Sequence, residues 1–399
     1  MAMLENEENK ARENVRTVSY AEALETGMPR DVLIALHEAE GVGRVTIASV
    51  FLYGVMKGPG SLRHTRDFLA GDWRDMGLSA RQALAAERGV RPAARERRED
   101  RHRSGRMGAV TYLDDDYPAL LREISDPPWV LYFRGRLELT DRPAIAIVGT
   151  RLATGYGRKV AEELAEGCAG RMTVVSGLAK GIDAAAHRGA VSAAYGTIAV
   201  LAGGVDRCYP PENLALYREI GEQGLLLAES PPDTILRPGL FPLRNRIIAG
   251  LSYGVVVVEA ARRSGALITA ELALGYDRDV FVVPGQVTSP RSLGGLEYFR
   301  KGAHPVLDAS DIFQYYEYRL PRAPEPEPGS GAASREAKPA EELDPDELAI
   351  YLAILERPSS INELSAVSGM TFGHLHSVLL NLLMKRRIQQ LPGSVYHVL

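Results

Sequence analysis

The chain repeats one unit, in which an apolar run stops at a glycine-containing loop and a helical pattern follows. The unit is clearest at residues 144–151, Ala-Ile-Ala-Ile-Val-Gly-Thr-Arg, where the helical pattern begins near Gly155. Strands that alternate with helices pair in parallel, and near-continuous apolar runs are typical of strands covered on both faces. The sequence therefore predicts a doubly wound, mostly parallel α/β sheet. Further runs of the same kind lie at 174–183, 197–201, 225–229, 254–259 and 280–285.

The loop after the first run has the chemistry of an anion site. Backbone amides at a helix start point outward beside the positive end of the helix dipole, and Arg151 adds a planar fork of donors suited to phosphate oxygens. Gly149 and Gly155 are too far apart for G-x-G-x-x-G, and no G-K-[ST] follows, so no known nucleotide-binding fingerprint is present. From these residues alone, a plain strand-to-helix turn remains the alternative.

Several ordered blocks carry a more specific signal. They are Tyr117-Pro118, Asp126-Pro127-Pro128, Val148-Gly149-Thr150-Arg151, Ser176-Gly177-Leu178-Ala179-Lys180-Gly181-Ile182-Asp183 with His187, Tyr209-Pro210 with Asn213, Phe241-Pro242-Leu243-Arg244-Asn245-Arg246, Val257-Val258-Glu259-Ala260, Ser264-Gly265-Ala266 and Pro284-Gly285. With these blocks, residues 112–307 resemble the DNA processing protein A family, also called DprA or Smf. The resemblance implies an extended Rossmann domain that captures single-stranded DNA and helps to load a RecA-type recombinase in natural transformation and recombination.

The resemblance implies DNA contact above all by Arg151 and Phe241. In physical terms, Arg151 and Lys180 offer cations at two neighbouring strand tips, and Phe241 offers a ring on which an unpaired base can stack. The side chains of residues 244–246 surround that ring with further donors. The predicted DNA-binding set is Gly149, Thr150, Arg151, Ser176, Gly177, Lys180, Phe241, Arg244, Asn245, Arg246, Ser264 and Gly265.

The resemblance also bears on partners and chemistry. It implies a binding protein without a catalytic site, and no metal or other cofactor is expected. Single-stranded DNA and a RecA-type recombinase are the expected partners, and a single-strand-binding protein is a further candidate. Family members dimerise through the Rossmann domain, and the segments Leu293–His304 and Ile312–Tyr316 are apolar enough for such a surface.

The chain departs from the family at the last loop of the expected pocket. Residues 292–297 read Ser-Leu-Gly-Gly-Leu-Glu, where family members usually have Gly-Thr-Asn. A polar contact at the rim is lost with that change, and Glu297 would oppose a phosphate there. This loop is therefore left out of the predicted site.

Three domains and two linkers are predicted, because 399 residues exceed the usual size of one core. Near the start, Val32–Leu36 and Val45–Leu52 flank Gly41-Val42-Gly43, a pattern that resembles a helix-hairpin-helix. The family resemblance implies a SAM-like helical interaction domain there, which is favoured over an independent DNA-binding domain. The predicted bounds are 1–90 for this helical domain, 91–111 for a basic linker, 112–318 for the extended Rossmann domain, 319–343 for a Pro/Gly-rich linker and 344–399 for a winged-helix domain.

The two linkers differ in composition. Proline, glycine and charge in 321–331 leave nothing to bury, so this segment is predicted to be a tether. The densest basic run, Arg91–Arg106, mixes both signs of charge and lacks aromatic residues. A solvated, flexible linker is favoured there over a DNA contact.

The C-terminal pattern resembles a winged helix. Its predicted elements are helices over Asp346–Leu355, Ile361–Ser368 after the cap Ser360, and Thr371–Lys385, followed by a wing at Val395–Val398 after Pro392-Gly393. The candidate recognition helix offers His374, His376 and Asn381 but no cation before Lys385-Arg386-Arg387. Partner binding or autoregulation is therefore at least as strong an expectation as duplex binding.

Charge and cysteine content set further bounds. The formal net charge of −4 does not exclude a DNA binder, because a few cations that converge in one cleft decide local binding. Cys168 and Cys208 have no metal-binding spacing, and neither a disulfide framework nor a zinc site is supported. The polar, charged start is not a signal peptide and no apolar run is long enough to cross a bilayer, so a cytoplasmic protein without membrane contact is expected.

Two other function classes stay open. In a nucleotide hydrolase, Glu259 and Glu271 would serve as acid and base, although the favoured reading places Glu259 at the end of a buried strand and Glu271 at a helix start. His187 lacks a placed nucleophile and is read as a packing or hydrogen-bonding residue. In a transcription regulator, the Rossmann body would sense a metabolite, and selection from random duplex DNA would reveal a preferred operator.

Overall fold

The computed structural model describes residues 18–320, 344–356, 359–370, 372–385, 387–391 and 395–398. They form two compact units, one within Met1–Pro321 and one within Arg322–Leu399. A nine-stranded sheet organises the first unit, and a three-stranded sheet belongs to the second. Within these ranges, no helix combines the length and the apolar character that a membrane crossing requires.

The large sheet confirms the predicted alternation of strands and helices. Its strands are β1 Gly108–Thr111, β2 Val130–Gly135, β3 Ala144–Val148, β4 Thr173–Ser176, β5 Thr197–Leu201, β6 Leu225–Ala228, β7 Gly254–Val257, β8 Asp279–Val282 and β9 His304–Pro305. They lie in the order β1-β2-β6-β5-β4-β3-β7-β8-β9. The seven strands from β6 to β9 pair in parallel, whereas β1 and β2 add an antiparallel edge that the sequence pattern did not predict.

Helices cover both faces of this sheet. The helices of this unit are α1 Tyr20–Glu25, α2 Arg30–Glu38, α3 Arg44–Lys57, α4 Ala70–Asp75, α5 Ala80–Val90, α6 Pro92–Ser104, α7 Ala119–Arg122, α8 Gly155–Cys168, α9 Ile182–Ala190, α10 Leu214–Gln223, α11 Leu240–Gly250, α12 Gly265–Gly275, α13 Pro290–Phe299 and α14 Ala309–Tyr315. Strand β3 alternates between the two cores: Ala144 and Ala146 pack with one apolar cluster, and Ile145 and Ile147 with the other. Such burial on both faces is the reason for the continuous apolar runs.

The topology fixes where a ligand can bind. Successive strands proceed from β3 towards β6 on one side and from β7 towards β9 on the other, so the connections diverge between β3 and β7. In doubly wound sheets, the crevice beyond the carboxyl ends of the strands at this point is the usual ligand site. The loops after β3 and β7 flank that crevice.

The N-terminal helices pack on the same apolar cluster as β1 and β2, so they belong to one unit with the sheet. Helices α2 and α3 confirm the predicted helix pair around the Gly41–Gly43 turn. The prediction of a flexible linker over Arg91–Arg106 was wrong, because α6 occupies most of it. Arg98 and Arg101 of α6 bond the carboxylate of Glu38 in α2, at 3.2 and 2.6 Å, and this long-range contact anchors the helix.

The second unit has the predicted winged-helix elements. They are α15 Pro345–Glu356, β10 Ser359–Ser360, α16 Ile361–Ser368, α17 Phe372–Met384, β11 Ile388–Leu391 and β12 Val395–Val398. Strands β11 and β12 pair antiparallel as the wing, and β10 pairs with β12. Ser360, predicted as a cap, lies in β10, whereas Pro392-Gly393 and Arg386 fall outside the described residues, as does the predicted tether 321–331.

Candidate functional site: a pocket at the strand tips

A pocket of about 640 Å³ opens at the carboxyl ends of the parallel strands, and we call it the strand-tip pocket. The loops after β3 and β7 and the start of α11 form most of its wall. Of the predicted set, it is lined by Gly149, Thr150, Arg151, Phe241, Arg244, Asn245, Ser264 and Gly265. A loop connecting each strand to its helix thus brings residues more than a hundred positions apart into one site.

Arg151 and Phe241 meet at the mouth of this pocket. The guanidinium carbon of Arg151 lies 5.2 Å from the centre of the Phe241 ring, a cation–π distance. The Tyr209 ring lies 5.6 Å from the Phe241 ring and is tilted by 58°. Tyr209 is 46% exposed, and it follows the tip of β5. The site therefore presents a cation and two aromatic rings together, and Tyr209 is a pocket residue to which the sequence reading assigned no role.

Arg244 shapes the pocket from beneath. Its Nη1 donates to the carbonyl of Gly177 at 2.7 Å and also to that of Val200, and its Nε donates to Asn245 Oδ1 at 3.2 Å. Burial lowers the pKa of this guanidinium to about 10, and the Asp183 carboxylate partly offsets the effect. Because these donors bond protein oxygens, Arg244 is a structural support of the loop after β4.

Arg246 lies outside the strand-tip pocket, contrary to the prediction that it surrounds Phe241. It is 4% exposed and lines a second cavity of about 790 Å³ between the N-terminal helices and the start of α11, which we call the junction cavity. There Nη2 contacts both carboxylate oxygens of Glu229 at 2.6 Å, and Nε lies 3.4 Å from Asp126. Two helical positions correspond to a rotation of about 200°, which carries Arg246 to the face opposite Arg244.

Two further residues of the predicted set, Ser176 and Gly177, lie outside the lining of the strand-tip pocket. The Ser176 hydroxyl is fully buried and donates to the Ile147 carbonyl at 2.6 Å. Gly177 is buried as well, and a Cβ there would lie 2.3 Å from Arg244 Nη1, so glycine is required to seat that guanidinium. Ser176 therefore supports the site from within the sheet, whereas Gly177 seats Arg244 and also lines a small cleft beside the pocket.

His187 holds the adjacent turn, as its structural reading predicted. The Thr197 hydroxyl donates to the Val174 carbonyl at 2.7 Å, so His187 Nδ1–H donates to Thr197 Oγ1 at 2.7 Å. Nε2 then accepts from the Leu178 amide at 3.3 Å. Burial lowers the pKa of His187 to about 3, which keeps the ring neutral. The hydrogen bond supports Leu178 at a φ of 54°, a left-handed conformation that is costly for a branched residue.

The start of α8 is closed to an external anion, which corrects the expectation from the first loop. The Glu259 carboxylate accepts from the Thr154 amide at 2.9 Å and from the Thr154 hydroxyl at 2.6 Å. Thr154 in turn accepts from the Gly157 amide at 2.9 Å and caps the helix. An internal carboxylate therefore occupies the place where the dipole would attract phosphate. In the first loop, the exposed side chain of Arg151 supplies a positive charge at the pocket.

The start of α12 is different. Ser264 caps it by accepting from the Ala266 amide at 3.3 Å, and the first turn contains no acidic residue. Ser264, Gly265 and Ala266 line the strand-tip pocket, and Asn245 Nδ2 donates to the Gly265 carbonyl at 3.4 Å. The positive end of this dipole thus faces the pocket together with Arg151.

The carboxylates of the hydrolase alternative do not share a site. Glu271 lies in the second half of α12, not at a helix start as predicted, and it lines the junction cavity. It accepts from Tyr298 at 3.0 Å and Lys301 at 2.8 Å. The 292–297 segment lies in α13, and Glu297 pairs with Arg262 at 2.7 Å. Tyr298, Ile312 and Tyr316, within the two predicted dimer segments, are buried in the unit's own core.

In the second unit, the candidate recognition helix α17 has acidic neighbours. His374 Nε2 lies 2.7 Å from Asp346, and Lys385 Nζ lies 2.5 Å from the buried Glu347. Both carboxylates belong to α15. These contacts engage two of the polar groups that duplex binding would use.

Fold and pocket together define a doubly wound α/β protein with a pocket at its strand tips and a winged-helix unit. By sequence, the chain belongs to the family described as DNA recombination-mediator protein A, whose profile matches residues 108–317. The profile of the DprA winged helix domain matches residues 334–394.

Individual relatives agree with this assignment. Protein Smf of Synechocystis is 36% identical over 327 residues, which are 74% of this chain and 81% of that protein. The DNA processing protein DprA of Bacillus subtilis is 40% identical over 227 residues, covering 56% of this chain and 76% of that protein. The X-ray structure of DprA from Streptococcus pneumoniae covers 72% of this chain and 98% of its own, with 36% identity and a TM-score of 0.61.

Proposed function

We propose that this protein binds single-stranded DNA in the strand-tip pocket and acts without catalysis as a mediator of recombination. The observation that carries the proposal is the position of Arg151, whose guanidinium lies over the Phe241 ring where both residues line the pocket. Among the described residues, Arg151 forms no ion pair, so its charge is available to a phosphate. Tyr209 and Phe241 offer stacking surfaces next to it.

Single strands are favoured over duplex because stacking needs an unstacked base. Aromatic rings beside cations are the usual means of holding unpaired strands with little sequence preference. Ser264, Gly265 and Asn245 add backbone and amide groups at the opposite wall. Membership of the DNA recombination-mediator family supports DNA as the polyanion.

The direct test is fluorescence anisotropy with a labelled thymidine oligonucleotide and a duplex of equal length, each at two ionic strengths. We expect tighter binding of the single strand, and an affinity that falls as salt rises because phosphate contact releases counterions. Equal affinity for both forms, or no binding in dilute buffer, would refute the proposal. Turnover of labelled nucleotides that Glu259→Gln abolishes would instead support the hydrolase alternative.

A finer part of the proposal concerns partners. The protein would help to load a RecA-type recombinase during natural transformation, and a single-strand-binding protein would be a further partner. The family description, which names recombination mediation, supports the first part. We expect the protein to shorten the lag of recombinase ATP hydrolysis on a coated oligonucleotide. An unchanged lag contradicts this part. Light scattering tests the proposed homodimer, which would place two pockets on one strand and raise its effective affinity.

A further inference from the structure

Next to the strand-tip pocket, Lys180 is paired with a carboxylate. Lys180 follows β4, and its Nζ lies 2.5 Å from Oε1 of Glu212 in the 3₁₀ helix Pro211–Asn213. Both side chains are more than half exposed, 53% and 60%. The hydrogen bond from Lys180 lowers the pKa of Glu212, so the carboxylate is charged at neutral pH.

This pair borders a small cleft of about 60 Å³ beside the main pocket. Arg151, Tyr209 and Phe241 line both spaces, whereas Lys180 lines only the cleft. The cation and its two rings therefore form the boundary between the two spaces. If a DNA base stacks in the main pocket, the phosphate of the adjacent nucleotide can reach the cleft and Lys180.

The protein holds Glu212 and Lys180 in register through their backbones. Asn213, adjacent to Glu212, donates from Nδ2 to the carbonyls of Leu178 and Ala179 at 2.9 and 3.4 Å. These carbonyls directly precede Lys180. The Asn213 hydrogen bonds thus link the two segments that carry the charges, so the distance between Lys180 and Glu212 does not depend on their side chains alone.

We propose that Glu212 is a built-in competitor of the DNA backbone for Lys180. This inference rests on the proposed function. A phosphate that approaches Lys180 competes with the Glu212 carboxylate for the ammonium, and that carboxylate also repels it. Lys180 then adds less to affinity and to salt dependence than a free lysine would. The ion pair lowers the affinity for DNA at one contact, which is consistent with a protein that transfers its strand to a recombinase.

The test is Glu212→Gln, which keeps the shape of the side chain and removes its charge. In anisotropy titrations with a labelled thymidine oligonucleotide, we expect affinity to rise roughly twofold to fivefold at low salt, the scale of one exposed charge pair. The slope of log affinity against log salt should steepen by about 0.7, one additional phosphate on a single strand. The matched control is Glu163→Gln, which removes an exposed charge paired with Lys159 on α8.

A second measurement separates competition from a general charge effect. Lys180→Ala is made in the wild-type and in the Glu212→Gln background, and competition requires a larger loss of affinity in the second. Equal losses in both backgrounds, or weaker binding by Glu212→Gln, would overturn the inference and show that Glu212 positions Lys180 or does nothing. If the wild-type chain binds no oligonucleotide at all, the proposed function fails instead.

Discussion

The strand-tip pocket and the junction cavity lie on either side of the start of α11 and share Pro242 and Ile268 as walls. Their volumes are similar, about 640 and 790 Å³. Their charges are not equivalent. In the junction cavity, Arg246 pairs with Glu229 and Asp126, and Arg44 pairs with Asp126. In the strand-tip pocket, Arg151 contacts an aromatic ring.

If the strand-tip pocket receives a polyanion, as we propose, the ion pairing of the cation and not the volume of the cavity distinguishes the two spaces. A buried guanidinium is stabilised only while its carboxylates or carbonyls stay in place, so it cannot exchange them for phosphate at low cost. An exposed guanidinium without an ion pair can bind a phosphate without first losing a carboxylate. Arg246 should therefore matter for stability and Arg151 for binding.

The largest effect is expected for Arg246→Ala. Removal of the guanidinium leaves the Glu229 carboxylate without its cation, while Asp126 keeps Arg44, and the free energy of unfolding should fall by about 3–5 kcal/mol. Urea unfolding measures it, with Arg218→Ala on the exposed face of α10 as the control. If the Arg246→Ala protein folds but no longer binds the oligonucleotide, Arg246 belongs to the binding site and the distinction between the two cavities is wrong.

Glu38 gives the second effect, which depends on pH. Burial alone would raise the pKa of Glu38, but the nearby His102, Arg101 and Arg98 outweigh it and lower the pKa to about 2. The folded state therefore holds its proton more weakly than the unfolded chain, whose value is near 4.5. The stabilisation, of order 3 kcal/mol, is complete above pH 4.5 and is lost as the pH falls towards 2.

Urea unfolding of wild type and Glu38→Gln across that range measures this contribution. The difference between the two proteins should shrink as the pH falls from 4.5 to 2. A difference that stays constant over the window would contradict the assignment. Glu163→Gln, exposed on α8, should show no such change.

Phe241→Ala should weaken oligonucleotide binding by about 1–3 kcal/mol, the contribution of one stacked base. The salt slope should be unchanged, because no phosphate contact is lost. Leu243→Ala is a demanding control, since Leu243 is exposed on the same helix two positions later and lines only the junction cavity. Equal losses for the two variants would show that the two spaces are not functionally distinct.

Arg151→Gln should have the smallest effect on affinity but a distinct signature. Loss of one exposed phosphate contact should lower affinity roughly fivefold and reduce the salt slope by about 0.7. Arg44→Gln removes the same charge from the junction cavity and should leave the slope unchanged. An Arg151→Gln slope identical to wild type would remove Arg151 from the proposed site.

Much of the fold was predictable from sequence because strands that are buried on both faces have continuous apolar runs, as in Ala144–Val148. The loop chemistry singled out Arg151, the family resemblance added Phe241, and both residues line the strand-tip pocket. The antiparallel strands β1 and β2 were not predicted, because four to six residues of mixed burial do not differ from a loop in pattern.

The errors at the site have one physical origin, which is the direction of a side chain. Arg244 and Arg246 are two positions apart in the sequence, yet their side chains lie on opposite faces of α11 and line different cavities. Ser176 ends a strand and turns inwards to Ile147. The basic run of α6 was misread for a related reason, because the carboxylate that anchors it, Glu38, lies sixty residues upstream.

The Glu259 cap at the start of α8 has a consequence for selectivity in a cell rich in free nucleotides. Relatives of this fold that hold dinucleotides seat the pyrophosphate on the helix that follows the first strand. Here a carboxylate belonging to the chain already fills that seat. A soluble mononucleotide would therefore meet a carboxylate where its phosphates need amides, whereas the single strand of the proposed function would make contacts at several phosphates and bases along its length.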